Sequence, residues 1–160
     1  MKKYFILLIV AMLVSVSASA QYRKIYTDFS GLSFDYSTKK DVENYCKKNN
    51  KEFHYLDGEI VTEKFKFEDN TWDYALFSFC DNRLCQVIFI DEHDITDPYD
   101  EVIAVSSWRV ISAWYKDRYA KFLTFDLGDF YNWEDTDTFM SLNCSVKDDV
   151  LTVVLTYKKK

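Results

Sequence analysis

Enzymatic chemistry in a small protein starts from histidines, thiolates, paired acids or glycine-lined phosphate loops, and this sequence is poor in most of them. Its two histidines, His54 and His93, are far apart in the chain. No serine stands in the GxSxG turn of an activated nucleophile. Gly31, Gly58 and Gly128 are too scattered to cradle a phosphate. Neither CxxC nor paired-histidine spacing occurs, so no zinc site and no cofactor is expected. Acids are the exception. With 26 Asp and Glu and 18% aromatic residues, the chain holds the raw materials of glycoside hydrolysis, two carboxylates beside aromatic platforms. An acid-pair hydrolase therefore stays as an alternative, to be recognised by a cleft with one acid of raised pKa beside an ionised one. The run from Asp91 to Asp97 has the carboxylate density for calcium but lacks the glycine and terminal glutamate of an EF-hand loop. It reads as a solvated loop with a helix cap.

The four cysteines read as structure rather than catalysis. Lys2 and Lys3 precede an apolar run from Tyr4 to Val14, and Ala18-Ser19-Ala20 then stands before Gln21, the layout of a cleavable export signal. Eleven apolar residues fall short of the ~20 that span a bilayer as a helix, so no membrane anchor is expected after cleavage. The expected organisation is a leader over 1–20 and a single domain over 21–160, exported to the periplasm or the exterior. In such a compartment four cysteines favour two bridges. A two-residue turn at Asn82-Arg83 sets Cys80 opposite Cys85, close enough to bond. Cys46, on a helix face, and Cys144, in line with Met140 and Leu142, are left to pair with each other. Loss of Lys2 and Lys3 makes the balance two charges more acidic than the −6 of the full chain. Nucleic acid is excluded as a partner, because its binding depends on clustered Lys and Arg.

The elements that position these residues follow from capping and periodicity. Ser37 or Thr38 can cap a short helix running to about Asn49, with Val42, Tyr45 and Cys46 on its apolar face. Residues 53 to 90 read as a meander, with Val61, Glu63, Phe65 and Phe67 alternating against Ile60, Thr62, Lys64 and Lys66. Asp97 before Pro98 opens a long helix ending near Tyr119, whose apolar stripe is Val102, Ile103, Val110, Ile111, Trp114 and Tyr115. The chain closes in a hairpin, Phe139 to Val146 and Val150 to Tyr157. The acidic stretches Asp91 to Glu101 and Asp126 to Asp137 read as two long loops. An offset of 67 residues lays Asp81, Leu84 and Val87 over Asp148, Leu151 and Val154, and it drops the first helix inside the second. A helix-then-strands unit used twice is one reading of that offset. Two unrelated hydrophobic hairpins are the other.

A leader, the lead-in Phe29-Ser30-Gly31-Leu32-Ser33-Phe34, a Ser/Thr-capped helix and then a meander resembles the helix-plus-meander repeat of beta-lactamase inhibitor proteins and small outer-membrane-assembly proteins. The likeness is architectural. It implies a module that binds other proteins, and no functional residue carries over from it.

The expected fold is α+β, an antiparallel sheet with one short and one long helix packed on one face. Such a sheet has an apolar surplus. Leu76, Val87 and Phe89 are read on one strand face with Cys80 and Cys85, and Phe77, Phe79, Ile88 and Ile90 on the other. Two helices cover one face, so the other is expected to meet a protein or peptide partner at the bacterial cell envelope, or a second copy by self-association. Tyr131 and Trp133, in a polar acidic segment, resemble the anchors of binding surfaces and also supply the alternative of glycan capture. The expected function is noncatalytic binding.

Overall fold

The protein was studied as a computed structural model that describes residues 24–160. The expected leader over 1–20 and the start at Gln21 lie outside the described residues. The chain enters through a small hairpin of β1 (Asp28–Phe29) and β2 (Leu32–Ser33), followed by α1 (Lys39–Lys48). Four strands come next: β3 (Phe53–Leu56), β4 (Glu59–Phe67), β5 (Asn70–Cys80) and β6 (Arg83–Asp94). The long helix α2 (Pro98–Arg118) leads through a 3-10 turn to β7 (Leu123–Asp126), β8 (Phe130–Glu134), β9 (Thr138–Lys147) and β10 (Val150–Lys159). The architecture is the expected α+β one. Among the described residues no helix is long and apolar enough to cross a membrane.

Strands β3 to β10 form one antiparallel sheet of eight, in the order β3-β4-β5-β6-β10-β9-β8-β7. Each half is a helix followed by a four-stranded meander, and the halves join where β6 pairs with β10. The 67-residue offset coincides with two turns of the same geometry. Asp81 and Asn82 have φ of 50° and 61°, and Asp148 and Asp149 have 51° and 60°. Two successive left-handed residues make the turn whose twist suits a two-residue hairpin.

Both helices start where side-chain chemistry dictates. Thr38 and Asp41 form a reciprocal capping box. Asp97 accepts the backbone N–H of Tyr99 at 2.7 Å and of Asp100 at 3.0 Å, with Pro98 at the first helical position. The helices and the N-terminal hairpin share one face of the sheet. There Phe29 contacts Phe34, Phe67, Phe89 and Tyr157, and Phe67 stacks on Phe89 at 4.6 Å.

Several sequence expectations need correction. The alternation along β4 breaks at Lys64, which is left-handed at φ 49°. Ile60 and Thr62 therefore point inward with Phe65 and Phe67, instead of opposing them. Asp91 to Asp94 are not loop, because they extend β6 against Val150 to Val153. The stretch from Asp126 to Asp137 contains β8, which pairs with β9. The turn after β5 is Asp81-Asn82, one residue earlier than expected, and Cys80 faces Arg83. The Cys80–Cys85 bond nevertheless forms, because the register shift at Ser78/Phe79 brings the two Cα atoms to 5.7 Å.

Cys46 and Cys144 are free thiols. Cys46 lies buried on α1, which packs on β4, whereas Cys144 lies in β9, four strands away in sheet order. Strands stand ~4.8 Å apart, so the gap far exceeds the 7 Å or so of Cα separation that a disulfide tolerates.

Candidate functional site

The sheet register places each residue expected to bind. Leu76 faces Ile88, and Val61 and Thr156 continue the row on the face without helices. Val87 and Phe89 are on the opposite, covered face with Phe77, each at 0% exposure. The expected partition, with Leu76 beside Val87 and Phe89, is thus overturned by the register. Tyr131 and Trp133 are also inward. Alternation along β8 sends them beneath α2, where Trp108 lies 5.9 Å from the Tyr131 ring and Trp133 is fully buried. A ligand cannot stack on either ring. Of the five expected binding residues only Leu76 is on the open face, where it is half-buried.

The larger exposed apolar feature belongs to α2. The stripe read from sequence as one face divides in two. Ala104, Ile111, Ser112 and Tyr115 are buried against the sheet, whereas Tyr99, Val102, Ile103 and Val110 are 73%, 63%, 45% and 69% exposed. With exposed Ser106 and Ala113 these define a line at intervals of three and four residues, the spacing of one helix face. At about 100° per residue, Val110 and Tyr115 are too far apart around the axis for one stripe. That angular spread was the signal in the sequence that could have revealed it.

Beside this line is a groove of about 490 Å³, walled by Val102, Ile103, Ser106, Ser107, Val110 and Ile111 of α2, with Asn70 and Asp91 from the sheet. Asp91 is held by His93, whose Nε2 lies 2.9 Å from Oδ2. Burial pushes the Asp91 carboxyl above the usual carboxylate range, and the neighbouring Asp73 adds to the rise against the opposing pull of His93. Burial acts the same way on Asp73. There the backbone N–H of Glu92, at 2.9 Å, and the Lys64 ammonium outweigh it and leave the carboxyl below its ordinary value. The pair was missed in sequence because Asp73 and Asp91 meet only through the β5–β6 register.

The second acidic site is a smaller pocket of about 310 Å³, lined by Tyr26, Asp28, Ser30, Phe67, Glu68, Asp69 and Arg118. The Glu68 side chain is only 3% exposed. It accepts a hydrogen bond from the Tyr119 hydroxyl at 3.0 Å, and the Arg118 Nε lies 3.6 Å from the same oxygen. Burial pushes its carboxyl up to about 7, against the pull of the Tyr115 and Tyr119 hydroxyls. The carboxylates around Asp91 do not gather on a common point. Asp94 accepts the backbone N–H of Thr96, and Asp97 caps α2. Among the described residues no cluster of three or more acids, histidines or cysteines is arranged to hold a metal. Compared with known proteins, the chain matches no family, no curated protein and no solved structure.

Proposed function

We propose that this is an exported, noncatalytic binding module that recognises a protein or peptide partner at the cell envelope through the groove beside α2. One observation carries the reading: α2 is apolar on two opposite faces, and the fold uses only one of them. Leaving Val102 and Val110 about two-thirds exposed forgoes roughly 1 to 2 kcal/mol of burial at each. A contiguous apolar line of this kind marks interaction surfaces more often than chance exposure. The architectural resemblance to protein-binding helix-plus-meander repeats supports the same class. A photocrosslinking residue at position 110, in the producing cell, should yield a discrete adduct with another protein. The same residue at exposed Val146 on β9 should not. Absence of an adduct from position 110 would overturn the reading. Export is tested separately, by N-terminal sequencing of the released protein, which should begin at Gln21.

A second reading, acid-pair hydrolysis, draws on Glu68, a carboxyl able to hold a proton near neutrality in a pocket shared with Asp28 and Asp69. It requires turnover of a chromogenic glycoside that Glu68→Gln abolishes. No turnover by the intact protein would remove it.

A further inference from the structure

Resting on the docking reading above, we infer that the α2 groove receives a positively charged amphipathic helix from a partner protein. The exposed line from Tyr99 to Ala113 covers 15 residues, about 21 Å along the axis at 1.5 Å per residue. A helix of similar length laid beside it can place its own apolar residues at the same spacing.

The charge of the partner follows from the rim. Between Arg83 and Arg109 the chain has no lysine or arginine, yet Asp91 lines the groove and Asp97, Asp100 and Glu101 stand at the start of α2. The β9–β10 turn adds Asp148 and Asp149, against the single base Lys147, at the same end, because Ile95 N–H donates to the Asp149 carbonyl at 2.8 Å and Asp94 pairs with Val150. Inside the groove, partly desolvated Asp91 stands beside His93, Asp73 and the Lys64 ammonium that Asp73 already holds. A lysine or arginine arriving there meets an acid in a low-dielectric setting, where the attraction exceeds that in bulk water. An anionic partner would add like charge to the rim. A second copy brings few bases to its own stripe, since Lys116 is already paired with Asp126 at 2.8 Å, leaving Arg109.

The test is a selection from a displayed library of helical peptides with random charge, using the purified protein and its Val110→Asp variant, with unchanged melting of the variant as the folding control. The expected result is enrichment of sequences with apolar residues at intervals of three and four and a Lys/Arg-rich flank, lost with Val110→Asp. Binding of a selected peptide should weaken roughly tenfold or more between 50 and 300 mM salt. Val110-dependent peptides with no basic bias would overturn the charge inference and leave the docking reading standing. Self-association that Val110→Asp abolishes, measured by sedimentation, would replace the partner helix by a second copy. Absence of any Val110-dependent binding would end both.

Discussion

At the scale of single residues, Glu68 couples the stability of the fold to pH. Its carboxyl ionises near 7 in the fold, against an ordinary 4.5. Through that window the folded protein holds a proton that the unfolded chain has released, so stability falls as pH rises, and the penalty is complete above about 7. Glu68→Gln should flatten the slope and raise stability at pH 8 by on the order of 2 to 3 kcal/mol, less any cost of losing the Arg118 contact. Chemical denaturation at pH 5 and pH 8 measures both. The thiols give a second expectation. Alkylation after denaturation without reductant should mark Cys46 and Cys144 and leave Cys80 and Cys85 unmodified. In the native protein Cys46 should react far more slowly than Cys144, because it is wholly buried while Cys144 is half-buried, burial raising the pKa of both thiols. The nearby bridge at Cys80–Cys85 was legible from sequence because a tight turn holds both partners. The wrong pairing of Cys46 with Cys144 came from elimination, and elimination carries no information about distance across a sheet.

At the scale of elements, local chemistry was readable and three-dimensional register was not. Thr38, Asp97 and Pro98 announce both helix starts, since a cap is decided within four residues. Asp97→Ala should cost α2 about 1 kcal/mol, seen as a lower denaturation midpoint. The two faces of α2 should respond oppositely to substitution. Ile111→Ala, on the covered face, should lose on the order of 2 to 3 kcal/mol. Val110→Asp should stay within about 0.5 kcal/mol of the parent. Thermal melts of the two variants make the comparison. Comparable losses would mean that Val110 is covered in solution. Strand faces were harder to assign, because one left-handed residue reverses every side chain beyond it. Lys64 does this in β4, and the irregular register near Ser78 does it between β5 and β6, which is why Leu76 was grouped with Val87 and Phe89. Tyr131 and Trp133 misled for a related reason. Their segment is rich in acids, and a five-residue strand flanked by Asp126, Asp129, Asp135 and Asp137 looks like loop when the pairing partner is unknown.

At the scale of the whole molecule, the two helix-plus-meander halves share one strand seam, β6 against β10, and β10 occupies a central position in the sheet. Val153, Leu155 and Tyr157 of that strand are fully buried. A chain ending after Lys147 would not merely fray at a terminus. It would remove the strand that joins β6 to β9, open the core around Phe89 and Met140, and expose two strand edges to other chains. Such a truncation should give no cooperative melt and should aggregate, whereas removal of Lys158 to Lys160 should be tolerated. Circular dichroism of the two truncations distinguishes these outcomes. The same placement sets the timing of maturation. During synthesis β6 and β9 each lack a neighbour until β10 emerges, so the two meanders can be joined only after residues 150–159 have left the ribosome.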